Sequence, residues 1–140
     1  MIKNIYEILE EFKQASSKQE RIQILKDNAS TYFLQVLKNT FDPNIKFYVN
    51  KFPKEYIKPD TFPGIRFAGI ESEIRKSYLF QIGNPTADSL SEEKRNQLLT
   101  ILLESFEPQE ATVFVNMLNK NLKIPNLTPN LIKEVFPNLL

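Results

Sequence analysis

Between Ala111 and Leu122 the residues Ala111, Val113, Phe114, Val115, Met117, Leu118 and Leu122 leave no broad polar face on a helix. A helix that is apolar on nearly every side has to be enclosed by other elements. The stretch predicts a central, buried helix, and the rest of the chain supplies its wrapping. Ile2, Ile5, Tyr6, Ile8, Leu9 and Phe12 recur at three-and-four spacing, which predicts a first helix over 2–15. Ser17 with Glu20 has the form of a capping box ahead of Ile22, Ile24 and Leu25, giving a second helix over 18–27 that stops at Asn28. Ser30 caps a third, whose Phe33, Leu34, Val36 and Leu37 face the core and which ends at the Asp42-Pro43 pair. Gly69 to Gln81, with Ile70, Ile74, Tyr78 and Leu79 apolar, reads as another helix.

Gly83, Asn84 and Pro85 then break the chain, and Ser91 opens a strong helix through Leu98, Leu99, Ile101, Leu102 and Phe106. Its first turn carries Glu92 and Glu93, the sign that a helix N-terminus prefers. Glu107-Pro108 restarts the chain into the central helix, and Thr128-Pro129 starts the last one. From Ile45 to Gly69 the pattern changes: Pro53, Pro59 and Pro63 punctuate short runs in which Phe47, Tyr48, Phe52, Tyr56, Phe62 and Phe67 serve as packing rather than as base-stacking platforms. The expected fold is all-α, a compact bundle of about six to seven helices with one long irregular loop at about 45–69, forming one domain over 1–140. A loop of that length is uncommon without a function, and this one carries Lys51, Lys54 and Arg66.

At 140 residues the chain is long enough to bury about two thirds of its unfolded surface in one core. With 41% apolar and 25% charged residues it has the balance of a globular protein rather than a disordered one. It contains no cysteine and no histidine, which removes disulfides, thiol chemistry, imidazole bases and the commonest zinc ligands. Only three glycines are present, so there is no phosphate-cradling loop of the nucleotide-binding kind, and no cofactor is expected. The N-terminal MIKNIYEILEEFK is amphipathic with three glutamates, unlike a signal peptide, and no apolar run has the length of a membrane span. A cytoplasmic protein without a membrane partner is expected.

The formal net charge is only +1, but it is unevenly spread. Residues 1–12 carry one lysine and three acids, whereas 46–58 carry Lys46, Lys51, Lys54 and Lys58 against Glu55, and the tail carries Lys120, Lys123 and Lys133 against Glu134. The tail also joins a basic turn to a capped helix whose first N–H groups are unpaired, a constellation suited to phosphate. The candidate phosphate-contacting residues are Lys120, Lys123, Asn126, Thr128 and Lys133 in the tail with Lys51 and Lys54 from the aromatic segment. The lysines supply charge, while Asn126 and Thr128 offer hydrogen bonds to phosphate or sugar.

Two segments in order carry a resemblance. Phe41-Asp42-Pro43, the apolar Ile45, Phe47, Tyr48 and Val49, and the closing Lys51-Phe52-Pro53 form the first; Lys120-Asn121-Leu122 followed by Val135-Phe136-Pro137 form the second. With Ser17 to Asn28 ahead of them, the chain resembles the N-terminal DNA-binding domain of ATP-dependent DNA ligases, particularly the bacteriophage T4 type. Where that family usually has a glycine beside the basic-x-Leu element, Ile124, Pro125 and Asn126 stand here. The resemblance implies sequence-independent gripping of duplex DNA across the minor groove, near a nick or gap, in replication or repair. The nearest approach to the ligase nucleophile motif Lys-x-Asp-Gly is Lys58-Pro59-Asp60-Thr61, so the chain on its own is expected not to seal nicks, and a separate catalytic or replication protein is a possible partner.

An adaptor of the replication or repair machinery, built on the same helices but binding protein, is the alternative, and an exposed apolar patch in place of a basic face would favour it. An enzyme is the third reading. Its candidate acid pairs Glu10-Glu11 and Glu92-Glu93 are adjacent in helices and point apart, and Glu71 with Glu73 is no more specific.

Overall fold

The computed structural model describes residues 3–60 and 67–140; Ile2 and the loop residues Thr61, Phe62, Pro63 and Arg66 lie outside the described residues. The helices are α1 (Ile5–Gln14), α2 (Lys18–Asp27), α3 (Thr31–Phe41), α4 (Ile70–Glu73), which runs directly into a 3₁₀ segment (Ile74–Phe80), then α5 (Pro85–Ser89), α6 (Glu92–Ser105), α7 (Pro108–Leu118) and α8 (Pro129–Val135). The fold is all-α, and β pairing among the described residues is confined to single bridges, Phe47 with Gln81 and Ala68 with Phe106.

Helix starts follow local chemistry. The hydroxyls of Ser17, Ser30, Ser91 and Thr128 accept from the backbone N–H of Glu20, Phe33, Lys94 and Leu131 at 3.1–3.3 Å. Only half of the expected capping box closes at α2, because the Glu20 carboxylate accepts from the backbone N–H and hydroxyl of Ser16 instead of turning back to Ser17. The expected helix over 69–81 is one α turn followed by 3₁₀ geometry. A threefold repeat stacks residues three apart, and Ile74, Ser77 and Phe80 are the buried side chains of that segment, whereas Tyr78 is 43% exposed. An additional short helix, α5, starts at the supposed break: the Asn84 side chain accepts from the Thr86 N–H at 3.0 Å and Pro85 takes the first helical position.

α7 occupies the centre and packs on α1, α3 and α6. Its Ala111, Val113, Phe114, Val115, Met117 and Leu118 are buried, but the helix ends at Leu118, so Leu122 reaches the core from the turn beyond. Phe114 meets Phe80 edge-on at 6.5 Å and Phe106 at 5.5 Å between ring centroids, within one apolar cluster that draws on every helix except α5. The irregular segment is stitched to that body by backbone bonds, with Tyr48 N–H donating to Phe80 O and Ile82 N–H to Lys46 O, both at 2.8 Å, and Ala68 N–H to Ser105 O at 2.9 Å. Phe47 is buried as expected. Tyr48 instead lies on the surface, its hydroxyl paired with Asp88 and its ring 3.9 Å from the Arg95 guanidinium.

One buried charge organises the helix ends. Glu110, in the first turn of α7, is fully buried, and its carboxylate accepts from the N–H of Ile5 at 3.3 Å, Tyr6 at 2.9 Å and Ile70 at 3.2 Å. These are the first residues of α1 and α4, whose N–H groups have no partner within their own helices. A single side chain thus caps two helices and fixes both to the third. Burial pushes the Glu110 carboxyl above its ordinary 4.5, against the opposing pull of the Tyr6, Ile70 and Ile5 N–H groups.

Candidate nucleic-acid interface

The tail turn begins where α7 ends. Lys120 N–H donates to Met117 O and Asn121 N–H to Asn116 O, both at 3.0 Å, which is the paired pattern of a Schellman stop. Such a stop places its first residue past the helix in the left-handed region, normally glycine. Here that residue is Lys120, at φ 63°. The reason lies at the other end of the side chain: its ammonium donates to Asn39 O and, at 2.8 Å, to Asp42 O, two carbonyls at the C-terminus of α3, and sits 6.0 Å from the Phe47 ring centroid. Positive charge at a helix C-terminus is favourable, so Lys120 both stops α7 and caps α3. Desolvation lowers its pKa below 10.5, partly opposed by the Asp42 charge. As a phosphate ligand Lys120 is therefore displaced by a structural duty, because its ammonium is spent on main-chain oxygens.

The remaining tail residues are built differently. Lys123, at φ 59°, follows an Asx turn in which its own N–H donates to the Asn121 side chain at 2.9 Å, and it lines a small groove between α1 and α7 that also includes Glu10. Ile124 to Leu127 form a β-turn closed by Leu127 N–H to Ile124 O at 3.3 Å. Pro125 and Asn126, at φ 70°, stand where a type II turn wants proline and then a left-handed residue. Thr128 already accepts from Leu131 as the cap of α8, which leaves its hydroxyl proton to donate.

Asn126 and Thr128 enter a groove of about 320 Å³ between α2 and α8, where they meet Lys18, Arg21, Asn130 and Glu134. Lys18 and Glu134 pair across it at 3.2 Å, with both side chains more than half exposed. Lys133, also exposed, precedes Glu134 on α8. Lys18, Arg21 and Asn130 were not among the residues expected at the site; α2 and α8 are separated by 116 positions at that ion pair, and no local pattern announces the contact.

The candidate residues do not form one cluster. Lys51 and Lys54 are exposed on a segment lying along α6, where the Ile57 N–H donates to the Glu104 carboxylate at 3.0 Å and Glu55 faces Glu92 and Glu93 across a groove. Between α1 and α2 a larger groove carries Glu7, Glu10, Glu11 and Glu20 against Lys3, which is itself paired to Glu11 at 2.8 Å. Cations outnumber carboxylates in the α2–α8 groove, and carboxylates dominate these two. Among the described residues no helix is long and apolar enough to cross a membrane, and no group of carboxylates is placed to hold a metal ion.

The chain belongs to a family of unknown function, DUF6433, whose model matches residues 8–124. The matched span runs from α1 through α7 into the tail turn and stops short of α8. No curated protein matches the chain.

Proposed function

We propose that this protein binds duplex DNA without sequence preference, through backbone contacts on the face formed by α2, α8 and the turn between α7 and α8. The observation that carries the reading is the α2–α8 groove, where Lys18 and Arg21 converge with Asn126, Thr128 and Asn130 over a single carboxylate, Glu134. Phosphate binding asks for this mixture: mobile cations for charge and short amides or hydroxyls for hydrogen bonds. Lys123 and Lys133 extend the positive character along the exposed tail. The acid-rich α1–α2 and α6 grooves would turn a polyanion away from the other faces and so orient it.

The order of elements supports the same reading. The second helix, the Phe41-Asp42-Pro43 turn, the apolar strip and the tail helix are the segments on which the sequence resemblance to the ligase N-terminal domain rests, and they follow in that order along the chain. On this reading the chain contributes DNA grip, a nicked or gapped duplex is its preferred substrate, and nick sealing belongs to a separate catalytic protein. Lys51, Lys54 and Lys120 are not part of the footprint.

If Lys18, Arg21, Lys123 and Lys133 each neutralise one phosphate, the salt slope is about −3.6, and a fourfold rise in salt weakens binding on the order of a hundredfold. The test is fluorescence anisotropy with intact, nicked and single-stranded DNA at two salt concentrations, using Arg21→Glu, Lys123→Glu and Lys133→Glu, with Lys51→Glu as the control outside the proposed footprint. Loss confined to the first three supports the reading. No binding at low salt, or equal loss for all four, overturns it.

A further inference from the structure

α6 has one side that the fold leaves open. Ile101, in its middle, is 68% exposed, and Ile57 on the neighbouring segment is 75% exposed. The bond from Ile57 N–H to Glu104, one turn beyond Ile101, holds that segment alongside the helix. Phe52, 37% exposed, packs on Tyr56 at 4.8 Å in the same segment. A groove of about 610 Å³ runs here, lined by Ile101, Asn96, Gln97 and three carboxylates, Glu55, Glu92 and Glu93, with no cation among its lining residues. None of the three carboxylates is ion-paired among the described residues.

The helix start accounts for Glu92 and Glu93, since acids in a first turn complement the positive end of a helix. It does not account for Glu55, which comes from another segment, nor for two large aliphatic side chains left exposed, Ile101 in the groove and Ile57 on the segment bonded to Glu104. Isolated exposed apolar residues are unremarkable, but an exposed isoleucine in a groove rimmed by like charge, with a second on the adjoining segment, has the make-up of an interaction surface.

We infer that this groove docks a basic amphipathic helix of a protein partner, independently of the DNA-binding reading. The charge selects the partner: three unpaired carboxylates repel a polyanion and favour lysine or arginine. The shape selects its form. From Glu92 to Ile101 the groove follows ten residues of α6, a rise of about 14 Å, which matches two to three turns of a helix laid alongside. Such a helix sets aliphatic residues at three-and-four spacing onto Ile101 and Ile57 and points its basic residues at Glu55, Glu92 and Glu93.

A fluorescein-labelled peptide of about fourteen residues of alanine, leucine and lysine, with leucines at positions i, i+3, i+4 and i+7 and lysines flanking them, is a sufficient probe by anisotropy. Saturable binding is expected, weakened at least tenfold by Ile101→Ser and again by the double change Glu92→Gln with Glu93→Gln, which leaves the Ser91 cap in place. The same peptide with glutamate for lysine is expected not to bind. Circular dichroism of the variants confirms that they remain folded, as the exposure of Ile101 implies. DNA binding should be indifferent to Ile101→Ser, which separates the two surfaces. Absence of saturable binding, equal binding of the charge-reversed peptide, or indifference to all the substitutions overturns the inference. So does a concentration-dependent dimer that Ile101→Ser dissolves, which would assign the groove to a second copy of this chain.

Discussion

Replacing Lys120 separates two effects that ordinarily travel together, helix termination and charge. Its ammonium makes two charge-assisted bonds to the carbonyls that end α3. Bonds of this kind contribute about 1.5–3 kcal/mol each, and because two of them share one partly desolvated charge, about 2–4 kcal/mol is a reasonable total. Against this, a residue with a Cβ at φ 63° costs roughly 1 kcal/mol that glycine does not. Lys120→Ala loses the bonds and keeps the strain, so it should destabilise by about 2–4 kcal/mol. Lys120→Gly loses the same bonds but relieves the strain, and should come out about 1 kcal/mol more stable than the alanine variant while remaining below the wild type. The expected order is Lys, then Gly, then Ala. Urea denaturation followed by circular dichroism measures it directly, with an unchanged m-value showing that the denatured state is the same in each case. Finding Ala at or above Gly, or both within about 0.5 kcal/mol of the wild type, would refute the double duty assigned to this lysine. DNA-binding losses of Lys120 variants would in any event report folding as much as contact.

Glu110→Ala strands three N–H groups at the starts of α1 and α4, at about 1–3 kcal/mol each, and should cost roughly 3–6 kcal/mol in the same assay, a large share of the stability of an ordinary domain. Because burial raises the folded-state pKa of Glu110 above 4.5, the folded state holds its proton more tightly than the unfolded chain. The stability advantage of the wild type over Glu110→Gln should therefore be fullest below pH 4.5 and decline as pH rises through the raised value; an advantage that grows with pH over that window would contradict this sign. Asn126→Gly suits the left-handed turn position and should leave stability unchanged or slightly raised. It should still weaken DNA binding if the amide contacts phosphate, so the pairing of a melting curve with a DNA titration tells a turn residue from a ligand. Asn84→Ala removes the cap of α5 and should cost about 1 kcal/mol by urea denaturation.

What the sequence disclosed and what it withheld divide along the range of the physics. Helix starts at Ser17, Ser30, Ser91 and Thr128 were legible because a cap is made within three residues of itself. The central position of α7 was legible because an apolar surface on all sides admits one environment. The 3₁₀ segment was misread as α-helix, since Ile70 and Ile74 satisfy a four-residue step and only the burial of Ile74, Ser77 and Phe80 reveals the threefold one. α5 was missed although Asn84-Pro85 carries the same signal as Thr128-Pro129, because no apolar run follows to give the signal weight.

The site failed to assemble from sequence for a different reason. Lysines were grouped by their nearness along the chain, and nearness along the chain says nothing about which way a side chain turns. Lys120 and Lys123 are three residues apart, both in the left-handed region, yet one reaches back across 78 and 81 positions to close α3 while the other stays at the surface. At the α7 stop, which glycine would fill without strain, the left-handed residue is a lysine whose side chain is bound to distant carbonyls, whereas Lys123 takes the same backbone conformation with no such partner. The same logic applies to Glu110, a carboxylate within an otherwise buried stretch whose partners lie 40 and about 105 positions away. At both places a residue that breaks the local rule marks a contact between helices remote in sequence. The search for ligand-binding cations should accordingly begin with those, such as Arg21, Lys123 and Lys133, that make no such contact.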